Sequence, residues 1–462
     1  MTDTTFDAKD LQQERWQIKK DIYDNKIPQR VFNNVTLNFD VVSAYGNIDN
    51  ANALWNADLL EKALDELSEM LPTDLNPHRG TFDIPAVFQA LGSRNKVLSS
   101  TGFMQHPNVQ GLLAEEYDEF IEDPYACMIE RVLPRNYAGF EYFRDPVSAM
   151  FALYRVALAD ERFNGRPNPQ ISQRLQEKYG YFPGYIEHPF ESGGSYAPLD
   201  ILTDNLRSFS EILNDIKRRP KKVLDAVEAV YPLNLKKATP AVITGYSYSG
   251  YALHMAPYMS TREFEKFYWP AWKRQCTDLA SMGVRTMAFC EHDFMRYLDH
   301  LQELPAQAQL TFEFGDAKTI KEKLGSRHIL SGLFPLANLK SCTKEEIVYK
   351  TREFLDLMMP GGNFQFQFDK DLLVLSDINM ENLKAVLETV RDYGVYDNAG
   401  QSAGDAFCKE DYTYSGAPAF KSKYYTSWEE YKAQHPFTPE NAKSAVEEME
   451  DAILQRVYSL CQ

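Results

Sequence analysis

Asn363-Phe364-Gln365-Phe366-Gln367-Phe368-Asp369 is the stretch on which the reading of the fold turns. Successive side chains of a strand point to opposite faces, so Asn363, Gln365, Gln367 and Asp369 share one side and Phe364, Phe366 and Phe368 the other. A central strand of an open, doubly wound sheet is apolar on both faces, because helices cover both. One wholly polar face fits a barrel strand better: the phenylalanines pack on outer helices and the amides line a wet interior. A solvated edge strand is the alternative.

The flanking sequence alternates in the same sense. Strand-like segments at 241–246, 285–290, 309–314 and 328–334 precede this one, separated by helical patterns at 261–282, 294–304, 317–324 and 343–359; a last helix is expected at 379–393. Five βα units in tandem imply parallel strands joined by right-handed crossovers. No GxGxxG or GxxxxGK[ST] follows any strand, which removes the usual nucleotide-binding doubly wound folds. The expectation is an α/β protein built as a (β/α)8 TIM barrel over residues 31–396. An N-terminal helical extension (1–30) with a strand at 31–39 after it, and a C-terminal arm (397–462), complete the chain. One helix is expected over 51–71, capped by Asn50 or Asp49, with others at 115–120 and 146–160. The arm ends in an amphipathic helix at 438–460, a packing or oligomerisation element compatible with a homodimer.

The 462 residues carry 49 basic and 66 acidic side chains, a net charge of −17, which argues against nucleic acid or an anionic membrane as partner. The six cysteines form no CxxC pair, and neither a signal peptide nor an apolar membrane span is visible, so a reducing cytoplasm is the expected location.

In parallel βα folds reactive groups collect at the C-terminal ends of strands. The strand at 285–290 runs into Glu291, His292 and Asp293, with Phe289, Glu291 and Asp293 expected on one face and Cys290 and His292 on the other. Thr311 and Glu313 share a face of the next strand, and the last ends at Asp369-Lys370-Asp371. If these faces converge, Glu291, Asp293, Glu313 and Asp369 line one cavity mouth with His292 nearby. Carboxylates and imidazole suit zinc or another divalent ion; alternatively, strand-end acids such as Asp293 and Asp316 cap the helices that follow. Cys290 beside His292 reads as a zinc ligand or a buried small hydrophobe, and His328, starting its strand, as structural. The tyrosine-rich stretch 245–255 reads as a loop in which Tyr246, Tyr248, Tyr251 and His254 bind a planar aromatic ligand, or else as aromatic packing. His188-Pro189-Phe190 suggests a second lid loop.

Several segments together, 115–135, 199–207 leading to Lys217-Arg218-Arg219-Pro220, 259–270, Phe289-Cys290-Glu291-His292-Asp293 followed by 301–305, Pro360-Gly361-Gly362-Asn363-Phe364, and 381–384, resemble the uroporphyrinogen-decarboxylase-like superfamily over residues 20 to 396. Within it they look most like methyltransferases that deliver methyl groups to corrinoid proteins, particularly those of anaerobic O-demethylase systems. The resemblance implies a (β/α)8 barrel with a funnel at the strand C-termini, zinc, and cobalamin carried by a separate corrinoid protein. In that branch zinc is often held by a His-x-Cys pair and a later Cys. Phe289 and Glu291 stand at the His-x-Cys positions here, and Lys370 or its neighbours Asp369 and Asp371 replace the later Cys. Oxygen-rich ligation by Glu291, His292 and Glu313 would suit a Lewis acid that polarises an ether oxygen, with Asp293 donating a proton to the leaving phenolate. The expected activity is methyl transfer from a methoxylated aromatic to a corrinoid protein. The alternatives are a methylamine or methylthiol donor, or a uroporphyrinogen-decarboxylase-type reaction, for which the chain lacks an arginine-rich N-terminal loop and offers only Arg30.

Overall fold

A computed structural model describes residues 7–78, 84–100, 102–162, 167–182 and 190–461. The chain is an α/β protein whose centre is a parallel sheet of five strands. The parallel strands are β1 (Phe32–Asn33), β2 (Ser192–Gly194), β3 (Tyr248–Leu253), β4 (Arg285–Asp293), β5 (Gln309–Phe314), β6 (Ile329–Gly332) and β7 (Gln365–Phe366); Val97–Leu98 and Met104–Gln105 pair antiparallel apart from them. The sheet runs β2-β3-β4-β5-β6, every pairing parallel and between neighbours in sequence, which fits βα units wound in one direction. β1 and β7 form a separate parallel pair. Parallel bridges Leu330↔Phe364 and Phe334↔Phe368 extend β6 toward β7, and Leu37↔His78 joins the chain after β1 to the segment around Asp74. Phe182 N–H in turn donates to the Asp74 carbonyl at 2.8 Å.

The strand that directs the fold reading behaves as its alternation requires. Phe364, Phe366 and Phe368 are buried among Phe334 and Phe354, with ring centroids 5.4–6.3 Å apart. On the opposite face Gln365 Nε2 donates to Gln309 Oε1 (3.2 Å), and Gln367 Oε1 accepts from Asn34 Nδ2 (3.1 Å). A buried amide without a partner costs about 1–3 kcal/mol, so these pairings are what allow a polar face to be enclosed.

The helices Ala317–Leu324, Lys344–Met358 and Met380–Tyr393 follow their strands as expected. Helix α1 (Ala8–Tyr23) is tied to the sheet rather than standing apart from it: Arg15 joins Arg30 on the buried Asp74 carboxylate, and Lys19 Nζ reaches Gln365 Oε1 at 2.6 Å. The C-terminal helix (Lys443–Cys461) is anchored by Tyr458, whose hydroxyl donates to Asn234 Oδ1 at 2.7 Å. No helix among the described residues is long and apolar enough to cross a membrane.

Three expectations need correction. The strand expected at 241–246 lies at β3 instead. Residues 241–246 form a turn in which Ser247 Oγ accepts from Thr244 N–H (2.8 Å), and Val242 and Ile243 are 48% and 42% exposed. The helix expected over 51–71 is broken at Asn56 (φ −146°, ψ 86°), whose side chain accepts from Asp58 N–H and restarts the chain as a new turn. The first strand is only Phe32–Asn33, because Asn38 caps a helix at Phe39–Tyr45 before a longer strand can form.

Truncating Phe366 to alanine opens a void against the rings of Phe334, Phe354 and Phe368 and is expected to lower the unfolding free energy by about 3–5 kcal/mol in urea titrations. Gln367→Ala, at the cavity wall, should cost far less; equal costs would show that the phenylalanine face is not the packed one.

Candidate active site

A cavity of about 770 Å³ lies against the inner face of the sheet, lined among others by Tyr248, Met287, Phe289, Thr311, Gln367 and Lys19. The two-residue period of each strand places the next inward position one step above this lining. Beyond Gly250 and Ala252 on β3 comes His254; beyond Met287 and Phe289 on β4, Glu291; beyond Gln309 and Thr311 on β5, Glu313. The strand C-termini therefore carry one imidazole and two carboxylates one inward position beyond the cavity lining.

His254 is held from two sides. Its Nδ1 lies 2.6 Å from Asp204 Oδ2 and its Nε2 lies 2.9 Å from Glu291 Oε2. Below it, the fully buried Asp200 accepts from the N–H groups of His254 (3.3 Å) and Met255 (3.0 Å) and from the Tyr268 hydroxyl (2.5 Å). Asp200 and Asp204 are four residues apart, at the start of and within a π-helical segment, Ile201–Arg207, so both carboxylates reach the end of β3. The wide turn sets the spacing.

The electrostatics follow from this packing. Burial works against a charged His254, but its hydrogen bonds to Asp204 and then Glu291 outweigh it and raise the pKa to about 10. Burial, then the neighbouring Asp204, pushes Asp200 up to about 7. Asp204 is raised by burial against the opposing pull of His254, and Glu291 is lowered chiefly by its hydrogen bond to the imidazole. At neutral pH the site is an imidazolium clasped by carboxylates, which hold its proton tightly and keep the ring a hydrogen-bond donor just beyond a chamber of mixed polar and aromatic lining.

The expected site residues are only partly brought together. Glu291 meets His254. His292 occupies a one-residue bulge, between the Cys290↔Phe312 and Asp293↔Phe314 pairings, with φ 63°, a region costly for a residue with Cβ. Its N–H donates to Glu313 Oε2 at 2.6 Å while its ring lies 5.9 Å from that of Tyr258. Glu313 is further paired with Lys370 Nζ at 3.1 Å. The bulge also sets Asp293 beside Phe314, on the face opposite Glu291 rather than with it, and its Oδ1 accepts from Met295 N–H (2.8 Å) as a cap. Asp369 Oδ1 accepts from Leu336 N–H at 2.8 Å. Glu291, His292 and Glu313 thus do not converge on a common point, and no group of three His, Cys, Asp or Glu side chains among the described residues could hold a metal ion. Cys290 is fully buried, its thiol pushed far above the ordinary range by desolvation, and acts as a small hydrophobe.

The tyrosine cluster also divides. Tyr248 lines the cavity. Tyr251 borders it but packs its ring on Trp272 at 6.2 Å, and Tyr246 sits beyond the opposite end of β3 from His254, stacked on Phe190 (5.2 Å) and donating to Asp24 (2.7 Å). The stretch 248–253 is a strand, so alternate residues face away from one another, as a loop would not oblige them to do. The lid reading of His188 and Pro189 falls outside the described residues. Asp200 and Asp204 were not expected as site residues, although the pair of aspartates four apart in Leu199–Arg207 was visible as a spacing that puts two carboxylates on one helical side. No protein-family model matches the chain, and no curated protein matches it.

A raised pKa of about 10 against an ordinary 6.5 means that the folded state holds the His254 proton more tightly than the unfolded chain. The stability this gives is complete below about pH 6.5 and is lost as pH rises toward 10. Asp200, also raised, acts in the same direction from about pH 4 to 7. Urea midpoints of the wild-type chain should therefore fall between pH 6.5 and 10, and His254→Gln should flatten that decline; parallel curves would mean that His254 is not held as an imidazolium.

Proposed function

We propose that the chain is the substrate-demethylating methyltransferase of a corrinoid-dependent system, acting on an aryl methyl ether, and that its strands close into an eight-stranded (β/α)8 barrel. The closure is supported by the parallel bridges between the chain around β6 and β7, the β1-β7 pair, and the hydrogen bonds running from Asn33 and Leu37 through Asp74 to Phe182. The activity rests on one observation above all: the His254 ring lies between Asp204 and Glu291, one strand step beyond a chamber walled in part by Tyr248, Phe289 and Met287. Aromatic and apolar walls suit a neutral aromatic ring. Lys19 is the sole Lys or Arg among the cavity-lining side chains, so a tetrapyrrole with many carboxylates finds no matching charge, which disfavours the decarboxylase reading.

The reaction then runs as follows. The ether lies in the chamber with its oxygen replacing the half-exposed Glu291 carboxylate on His254 Nε2. Cobalt(I) of a docked corrinoid protein attacks the methyl carbon with its electron pair, the carbon–oxygen bond breaks with its pair on oxygen, and His254 supplies the proton that makes the phenol. Asp204 holds the ring by Nδ1 and keeps Nε2 the donating side. The proton-donor role expected of Asp293 passes to His254, because the Asp293 carboxylate is engaged as a cap. No step is routed through zinc, since its expected ligands are separated.

Purified protein incubated with methoxybenzenes and a cob(I)alamin protein should yield phenol and methylcobalamin, and His254→Gln should slow turnover by about 10²–10⁴-fold, the usual worth of a positioned acid. No methyl transfer from any methoxylated aromatic sinks the proposal. Metal analysis belongs beside the assay: stoichiometric zinc that disappears in Glu291→Ala would return a metal to the mechanism.

A further inference from the structure

Lys19 lies deep in the same chamber, and its surroundings are incomplete. The residue is 9% exposed and projects from α1 into the cavity. Its ammonium has three donors, yet among the described residues it makes one hydrogen bond, to Gln365 Oε1 at 2.6 Å, and otherwise lies 4.8 Å from the centroid of Phe32 and 5.7 Å from that of Tyr23. The nearest carboxylate, Asp74, is consumed by others: Arg30 binds it with two N–H groups at 2.8 Å, Arg15 at 3.2 Å and Asn33 N–H at 2.7 Å. In this cluster three cations, Arg15, Lys19 and Arg30, face two carboxylates, Asp74 and Glu14. A buried charge is tolerated when it is paired, and among the described residues Lys19 forms no ion pair of its own. Desolvation lowers its pKa to about 7 against the weaker pull of Asp74.

Resting on the reading of the cavity as the substrate chamber, we propose that Lys19 is an anion subsite that takes the carboxylate of an aromatic acid, so that the substrate is a ring with an acid at its inner end and the methyl ether at its outer end. The dimensions agree. Lys19 reaches the level of Gln309 through Gln365, and Gln309 pairs with Met287, which pairs with Gly250. His254 and Glu291 lie four residues further along their strands from Gly250 and Met287. At roughly 3.3 Å per residue that is about 13 Å, shortened by strand tilt. One substituted benzene ring with a hydrogen bond at each end fills such a gap, whereas a fused polycyclic acid does not.

Binding measurements separate this proposal from the catalytic one. Calorimetric titration of the full chain with 4-methoxybenzoate and with the isosteric, neutral 4-methoxybenzamide should show the acid bound about tenfold or more tightly, the worth of a charge-assisted hydrogen bond. Lys19→Met should abolish the preference while still binding the amide, and its urea midpoint should match or exceed wild type, since a buried charge has gone. Lys19→Gln, which retains a donor without charge, should lose the preference too. Equal affinity for acid and amide, a preference that survives Lys19→Met, or binding of neither compound would overturn the subsite. A clear acid preference without methyl transfer to cobalt would instead uphold the subsite and fail the demethylase reading, and transfer from neutral methoxybenzenes with no acid preference would do the reverse.

Discussion

The charge on His254 organises the strand ends around it. An imidazolium withdrawn from water needs compensation close by, and Asp204 and Glu291 supply it from opposite sides of the ring. Two carboxylates exceed what one cation balances, and Asp200 beneath adds a third. Burial holds both Asp200 and Asp204 above their ordinary pKa, and Asp200, pushed up to about 7, relieves that excess by holding a proton part of the time. The neutral or shared-proton form of Asp200 still accepts from Met255 N–H and Tyr268, so it can fix the end of β3 without contributing a full charge. Position is thereby separated from charge. One acid places the backbone of the histidine, a second orients the ring, and the third, half-exposed, is the partner a substrate can displace.

The interior that this site opens onto is polar where it must be and apolar where it can be. At its floor Gln365 accepts from Lys19 and donates to Gln309, Gln367 meets Asn34, and Thr311 meets Ser331 at 2.7 Å. These pairings cross between strands that are distant in sequence and bind α1 to them. The N-terminal helix is for that reason a structural part of the chamber rather than an appendage: removing it would take Lys19 from Gln365 and Arg15 from Asp74, leaving that buried carboxylate to Arg30 and the Asn33 N–H.

Much of this was legible in the amino-acid order, and what was not had physical causes. The alternation in Asn363–Asp369 told which residues face the cavity because a two-residue period survives tertiary packing. The segment at 241–246 misled, since its β-branched residues match a buried strand while the ladder selects Tyr248–Leu253, whose inward positions are small enough (Gly250, Ala252) to leave the cavity open. The acids at 291–316 drew attention because they cluster in sequence. The partners that matter, Asp200 and Asp204, come from a helical segment about fifty residues before His254, and no local pattern links the two.

The bulge at His292 shows why residue types alone could not settle the metal question. With an unbroken strand, Glu291 and Asp293 would point the same way and Glu313 would lie beside them, a credible oxygen-rich site. One inserted residue reverses Asp293 onto the face of Phe314 and turns the His292 N–H, rather than its ring, toward Glu313. Glu313 is then satisfied by that N–H and by Lys370, and Glu291 is left to the histidine. Of the four side chains that read as a ligand sphere, Glu291 and Glu313 enter separate ion pairs, Asp293 accepts from a backbone N–H, and the His292 ring lies beside Tyr258. A positive φ at a non-glycine residue costs of order 1 kcal/mol or more, and it is retained here at the point where the strand end changes from lining a cavity to presenting a proton donor.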